Sequence, residues 1–363
     1  MAGASVGSGV LQIVGLSKRY GDVAALDGIS LSIPDDGYVS LLGASGSGKT
    51  TLLRLIAGFE DPDAGAISFA GRPMIGVPAY ERGIGFVFQN FALFPHLSVY
   101  ENIAFGLKNR ASGAPLAQGE VRDRVRKMVE LTGLSGLEGR GVAQISGGQR
   151  QRVALARTLV TEPKLVLLDE PLGALDANLR TRMRDELRRI RERLGVTFLH
   201  VTGSEAEALA MGDRVIVLDR GRIAQFSSPD DVFNRPATPS VAKSLNCYNL
   251  FGGHIDADLF TAGDHRFRIA SAVHSSAEPA YAIRQDMILI HGADAEPDAD
   301  EVSISGRFLA SEYTGAAMMY FFEVPGGSIV EVENHLSHRT VQDLAVNANY
   351  TLSWKAGHAL VFG

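Results

Sequence analysis

Residues 43–50 read GASGSGKT, and side chains of these types in this order suit one kind of chemistry, the capture of a chain of phosphates. Gly43, Gly46 and Gly48 let successive backbone N–H groups close on phosphate oxygens, with Ala44, Ser45 and Ser47 contributing the N–H groups between them. The helix expected next, TLLRLIA from Thr51, turns the positive end of its dipole toward the same anion. Lys49 can reach the β- and γ-phosphates, and the Thr50 hydroxyl can ligate Mg²⁺.

Two further segments add to this. Residues 164–170, KLVLLDE, form an apolar strand ending in two acids, and a carboxylate at such a strand end lies beside the phosphate loop in a parallel sheet. Asp169 is then placed to hold Mg²⁺, and Glu170 to orient and polarise the water that attacks the γ-phosphate. Residues 145–151, ISGGQRQ, place Ser146, Gly147, Gly148 and Gln149 at the opening of a helix, a second anion-binding N-terminus. One nucleotide does not need both loops from one copy of the chain.

The elements that must position these groups follow from periodicity. Apolar runs at 38–42, 84–88, 165–168, 197–201 and 214–218 alternate with helical patterns and predict buried, mostly parallel strands of an α/β P-loop domain over residues 1–239, with a helical subdomain at about 90–160. Leu179, Met183, Leu187, Ile190 and Leu194 form one apolar stripe on an arginine-rich helix, whose arginines read as a solvated face. RPATPS at 235–240 marks a boundary. Beyond it, runs at 281–291, 302–313, 316–324, 328–333 and 350–354 are β-rich and predict a small barrel or sandwich over 240–363, with an acidic solvated loop at 293–301.

Composition bounds the rest. With 363 residues, 45% hydrophobic and 21% charged, the chain has apolar material for more than one core. It holds no apolar run long enough to span a bilayer. The opening MAGASVGSGV lacks a basic start and an apolar stretch, which predicts a cytoplasmic location. The single cysteine, Cys247, is expected as a small buried hydrophobe. From Ser240 on there are 7 Lys and Arg against 15 Asp and Glu, while the front is nearly balanced. Neither part concentrates the positive charge that a nucleic-acid ligand requires.

In its motifs and their order the front domain resembles the ATP-binding cassette ATPases. The resemblance implies that ISGGQRQ contacts the γ-phosphate of ATP held on the loop of a second copy, hence a homodimer sandwiching two ATP. It implies further that Tyr20 in SKRYG stacks on adenine, that Gln89 in FVFQN reaches Mg²⁺ and the attacking water, and that Asp176 in GALD contacts the dimer partner. After Gln89, NFALFPHLSVYENIAFGL matches the region that faces the membrane subunit. Leu93, Phe94 and Leu97 are expected toward that partner, and Ile103 and Phe105 inward. The β-rich tail, with AIRQD at 282–286, resembles the TOBE/OB-like accessory domain of sugar, polyamine, ferric iron, sulfate and phosphonate importers.

One position departs from the pattern. Importer cassettes carry Val-Thr-His-Asp after the strand that follows Glu170, and here the residues are Val201, Thr202, Gly203 and Ser204. His200 lies at an odd offset along the strand, on its opposite face. Removing one donor to a developing charge lowers rates by roughly 10²- to 10³-fold, so ATP binding and dimer closure with slow hydrolysis are expected. Gly173 stands where serine is common.

Together these expectations describe the ATPase subunit of an importer on the cytoplasmic face of the inner membrane, driving transmembrane permease subunits and, through them, serving a solute-binding protein. Polyamine, ferric iron and aminoethylphosphonate systems are the nearest in phrase. A soluble cassette of translation or DNA repair is one rival, disfavoured because neither tandem cassettes nor a long coiled coil is present. A regulatory cassette that binds ATP and barely turns it over is the other.

Overall fold

The computed structural model describes residues 9–109, 114–173, 175–298, 300–337 and 340–363. Most of MAGASVGSGV, Ala174 of GALD and Ala299 of the acidic loop therefore lie outside the described residues. The chain divides into two units, one ending at Val232 and the other running Phe233–Gly363.

The first unit contains two sheets. β1 (Leu11–Tyr20) and β2 (Val23–Ile33) pair antiparallel with β4 (Ala64–Phe69) and the short β5 (Arg72–Pro73), in the order β2-β1-β4-β5. The second sheet is built from β3 (Tyr38–Leu42), β6 (Ile84–Val87), β7 (Leu165–Asp169), β8 (Thr197–Thr202), β9 (Arg214–Asp219) and β10 (Arg222–Ser227), ordered β10-β9-β3-β8-β7-β6. All of its neighbours are parallel except β10 with β9. Its central strands are buried along their length, as the continuous apolar runs require when helices cover both faces.

Among the described residues six α-helices lie wholly within this unit, and local signals set their starts. α1 (Lys49–Ala57) opens directly from the glycine-rich loop. α2 (Val99–Lys108) and α4 (Gly147–Leu159) begin with reciprocal caps, Ser98 with Glu101 and Ser146 with Gln149. Asp176 caps α5 (Ala177–Leu194), and Ser204 caps α6 (Glu205–Met211). α3 (Gln118–Leu131) buries Val121, Val125 and Val129 at four-residue spacing against α2 and α4. On α5, Met183, Leu187 and Ile190 are buried as expected, whereas Leu194, in the last turn, is 40% exposed.

Two short helices follow, α7 (Pro229–Asn234) and α8 (Pro239–Ser244). Within RPATPS, the expected boundary, Thr238 caps α8 and Pro239 takes its first turn, where a missing N–H is harmless.

The second unit is β-rich, as its patterning predicts. β11 (Tyr248–Gly252), β16 (Ala280–Arg284), β22 (Leu360–Phe362) and β15 (Val273–His274) form one sheet, in the order β11-β16-β22-β15. A three-stranded meander joins β12 (His254–Asp256), β13 (Leu259–Ala262) and β14 (His265–Arg268). The largest sheet runs β17-β21-β18-β19-β20, from β17 (Leu289–Gly292), β21 (Asn349–Lys355), β18 (Glu301–Tyr313), β19 (Ala317–Glu323) and β20 (Ile329–His335). The expected run at 281–291 is two strands, because a single turn at Gln285–Met287 breaks it. Along β18, Val302, Ile304 and Phe308 alternate inward. Trp354 closes this core and donates its indole N–H to the Tyr281 hydroxyl at 2.9 Å. Cys247 is half-buried rather than enclosed.

Candidate active site

Register decides what meets at the carboxyl end of the parallel sheet. Leu42 of β3 is level with Thr202 of β8, Val201 of β8 with Asp169 of β7, and Leu168 of β7 with Val87 of β6. The GASGSGKT loop, Asp169–Glu170, Gly203 and Gln89, far apart in sequence, therefore all emerge along one edge, where open α/β sheets hold their ligands.

The loop between β3 and α1 needs its glycines for two different reasons. A Cβ on Gly48, which has φ +104°, would lie 2.4 Å from the Ala25 carbonyl oxygen, and one on Gly43 would lie 2.5 Å from those of Leu218 and Ser47 Oγ. At Gly46, φ +79° with open space around it, only the backbone conformation demands glycine. The Ser47 hydroxyl is buried without a partner. Ala44, Ser45, Gly46 and Thr50 are exposed, and Thr51 is half-buried.

Lys49 folds back over the loop, its ammonium donating to the carbonyls of Gly43 at 2.7 Å and Ala44 at 3.0 Å. Burial lowers its pKa, and Glu170 and Asp169 pull it back up. Burial also raises that of Asp169, reinforced by Glu170 and opposed by Arg54 and Lys49. Glu170 sits in the left-handed region, φ 44°, with its N–H on the Val201 carbonyl. Its carboxylate accepts from Gln89 Nε2 at 2.9 Å. Strain of that kind is held only where surrounding structure fixes it.

Tyr20, at the end of β1, is 46% exposed and bonds Glu60, the third residue past α1. Ser146, Gly147, Gly148, Gln149 and Asp176 stand on other elements, at the N-termini of α4 and α5. The two glycines of this group differ. A Cβ on Gly147 would meet nothing within 4 Å, whereas one on Gly148 would approach Leu179 Cδ2 at 2.8 Å, so close packing of α4 on α5 accounts for Gly148. Gln149 occupies its side chain in the cap of α4.

Around Gly203 the geometry is equally specific. A Cβ there would meet nothing within 4 Å. Ser204 spends its hydroxyl on the Glu207 N–H as the cap of α6. His200 is fully buried on the other face, its Nδ1 3.0 Å from the Tyr38 hydroxyl, and burial lowers its pKa to about 3. Thr202 donates to the buried Glu207 at 2.8 Å, and Glu207 pairs with Arg180 of α5, which also donates to the Leu175 carbonyl. This chain of contacts ties the Gly203 turn to the segment before Asp176.

The expected split of the aromatic stretch needs correcting. Ile103 is fully buried, but Phe105 is 37% exposed and packs on Phe94, with ring centroids 4.3 Å apart. Val99, Ile103 and Leu107 define the inner face of α2, and Phe105, two residues past Ile103, is carried some 200° round the helix. Leu93, Phe94 and Leu97 are half-buried, Leu93 against two core clusters. Buried Asn102 stitches this loop by bonding Phe94, Leu97 and Ser98. Arg157 of α4 holds the carbonyls of Phe91 and Ala92, both at positive φ. Sequence reading missed Arg157, Glu207, Arg180 and Glu60, because each acts through a partner distant in the chain, and Asn102, because its backbone partners carry no side-chain signal.

Among the described residues no three His, Cys, Asp or Glu side chains gather as a metal cage. Thr50, Asp169 and Gln89 offer hard oxygen donors, and Mg²⁺ characteristically takes one or two protein ligands and draws the rest from phosphate and water. With the unpartnered Ser47 hydroxyl and a cradle that a Cβ would fill, these residues fit a magnesium-bound nucleotide.

The ABC transporter family profile matches residues 26–173, and the TOBE domain profile matches residues 281–362. The chain is 40% identical to the spermidine/putrescine import ATP-binding protein PotA of Rubrobacter xylanophilus, over 97% of this chain and 93% of that one. It is 44% identical to the sulfate/thiosulfate import ATP-binding protein CysA of Bacillus cereus, over 73% and 74% respectively. Among solved structures, cbiO1 of Clostridium perfringens, part of the ABC transporter complex cbiONQ, superposes with a TM-score of 0.57 at 31% identity, over 65% of this chain and 94% of that one. The dimeric structure of a post-hydrolysis state of the ATP-binding cassette MJ0796, bound to ADP and Pi, gives 0.54 at 30%, over 60% and 98%. The chain belongs to the ABC transporter family, as the ATP-hydrolysing subunit of an importer with a C-terminal TOBE domain.

Proposed function

We propose that this chain works as a homodimer at the cytoplasmic face of the membrane, binding MgATP at two composite sites and passing closure and reopening to transmembrane permease subunits. The carrying observation is the Gln89–Glu170 hydrogen bond at the mouth of the Lys49 cradle. In this reading the loop amides and Lys49 hold the β- and γ-phosphates, and the Tyr20 ring stacks on adenine. Thr50, Asp169 and Gln89 hold the metal, which when bound neutralises charge developing on the phosphates. Glu170 accepts a proton from the water whose oxygen bonds the γ-phosphorus, and the bond from that phosphorus to the bridging oxygen of ADP breaks. Ser146, Gly147, Gly148, Gln149 and Asp176 complete the site of the other copy.

Slow turnover is supported by Gly203 having no side chain to offer the transferred phosphoryl and by Ser204, beside it, holding its hydroxyl on the Glu207 N–H. Exposed Phe105, packed on half-buried Phe94, supports a permease contact nearby. For the solute, likeness to a spermidine/putrescine import protein over nearly the whole chain, TOBE domain included, supports a polyamine-class cation reached through a solute-binding protein. Side-by-side measurement of MgATP affinity and phosphate release tests the site. Micromolar binding with turnover is expected; binding with no turnover above a Glu170→Gln control would favour the regulatory cassette. Competition for labelled spermidine uptake by cells carrying the chain with its permease tests the solute.

A further inference from the structure

The segment just after α1 is bound to the end of β1 by a set of contacts that phosphate chemistry does not require. Lys18 Nζ donates to the Asp61 carbonyl at 2.7 Å and pairs with Asp63 at 3.4 Å. The Arg19 N–H donates to Asp63 Oδ2 at 2.6 Å, and the Asp63 N–H returns to the Ser17 carbonyl at 2.9 Å. The Tyr20 hydroxyl donates to Glu60 Oε2, and the other Glu60 oxygen pairs with Arg54 of α1 at 3.2 Å.

These contacts have a geometric consequence. α1 starts at Lys49, inside the phosphate cradle, and its far end leads straight into Glu60. One helix and the three residues after it, Gly58 to Glu60, thus connect the cradle to the aromatic ring at the end of β1. The ring itself is one-sided: the Lys18 ammonium lies over it, 5.7 Å from the centroid, which leaves the opposite face for a planar ligand. Glu60, first among the causes, and then burial hold the Tyr20 phenol above its ordinary pKa, so the hydroxyl remains a donor to the carboxylate at neutral pH.

We propose that Glu60 is a positioning residue for the nucleotide base. By anchoring the Tyr20 hydroxyl to α1 through Arg54, it fixes the ring at the distance and tilt at which a purine bound by its triphosphate in the cradle can stack. The inference rests on the assignment of residues 43–50 as the triphosphate site. Losing an aromatic–base stack altogether lowers affinity by roughly 5- to 150-fold. Loosening the ring, with the aromatic surface kept, belongs at the low end of that range.

The test compares MgATP with magnesium–inorganic triphosphate, which has no base, by equilibrium binding to the full chain. Glu60→Ala is expected to weaken ATP roughly fivefold and to leave triphosphate affinity where it was. Glu60→Gln, which still accepts from the tyrosine hydroxyl, should restore ATP binding. Tyr20→Phe, which also removes the hydroxyl's hydrogen bond with Thr51, should weaken ATP at least as much as Glu60→Ala, and the double variant should be no worse than Tyr20→Phe, because Glu60 acts through that hydroxyl. Equal weakening of both ligands, or unchanged ATP binding in Glu60→Ala, overturns the proposal. If Glu60→Ala fails to fold, the Tyr20→Phe comparison decides in the same way. A wild-type chain that binds neither ligand would overturn the phosphate-site assignment itself, and the proposal with it.

Discussion

Gln89 Nε2, past the end of β6, donates to Glu170 Oε2, past the end of β7, over 2.9 Å. A side chain from the loop leading to the aromatic stretch thus touches the carboxylate assigned to the attacking water. Movement of that loop can therefore alter Glu170 without disturbing the Lys49 cradle, whose bonds are to carbonyls of its own loop.

Glu170→Gln keeps the shape and the contact to Gln89 while removing the base. Phosphate release should fall by about 10²- to 10⁴-fold, the usual contribution of a positioned general base. Equilibrium binding should show MgATP affinity retained; a turnover rate near wild type would reassign the base.

Gly203→His should raise the ATPase rate, by up to roughly the 10²- to 10³-fold that one well-placed donor supplies. Folding should tolerate it, because a Cβ at Gly203 meets nothing within 4 Å. Steady-state phosphate release and a thermal melt check the two halves. An unchanged rate would mean that another group already stabilises the leaving charge.

Gly147→Ala and Gly148→Ala separate a functional glycine from a packing one. The first faces open space, so the melting temperature should hold or rise slightly, as Gly to Ala in a helix stabilises by roughly 0.5–1 kcal/mol. Its ATPase activity should nevertheless fall, since this is where the other copy's phosphate is proposed to approach. Gly148→Ala presses on the methyl ends of half-buried Leu179, which can give way, and should cost at most about 1 kcal/mol of stability, the low end for overpacking.

Acid should destabilise the first unit through His200. Its folded pKa of about 3 lies below the ordinary imidazole value of 6.5, because the buried ring resists charging. Above about pH 6.5 the ring is neutral in both states and the full stability is present. As pH falls from there toward 3, only the unfolded chain takes up the proton, and stability drops by up to about 1.4 kcal/mol per pH unit. His200→Phe should flatten that fall between pH 7 and pH 5 in a thermal melt series. An unaltered pH dependence would show that other groups dominate.

The phosphate loop, the acidic strand end and the second loop at Ser146 were legible as chemistry because each is contiguous, and its residue types state their purpose. Buried strands 38–42, 165–168 and 197–201 were legible because parallel strands covered on both faces read as unbroken apolar runs. The antiparallel β1-β2-β4 sheet and strands β11 to β15 passed unread, since their half-exposed, bulged or very short segments leave a weak period. Phe105 was misplaced because hydrophobicity alone does not say which side of α2 is inner; the positions of Val99, Ile103 and Leu107 do.

By itself the sequence determined the chemistry this chain can carry out: a phosphate cradle needs particular backbone freedoms and one lysine in a row, and those are written locally. It also determined the absence at Gly203, because no fold restores a missing side chain. Only the tertiary structure decided which partners those groups meet. Parallel register brought Gln89 to Glu170 across eighty residues, and the fold gave His200, already off the site by strand alternation, the buried Tyr38 hydroxyl as its partner. The loop after α1 joined Tyr20 to the helix that carries Lys49. Such contacts depend on how strands order themselves in a sheet, and that order is set by burial summed over the whole unit rather than by any one segment.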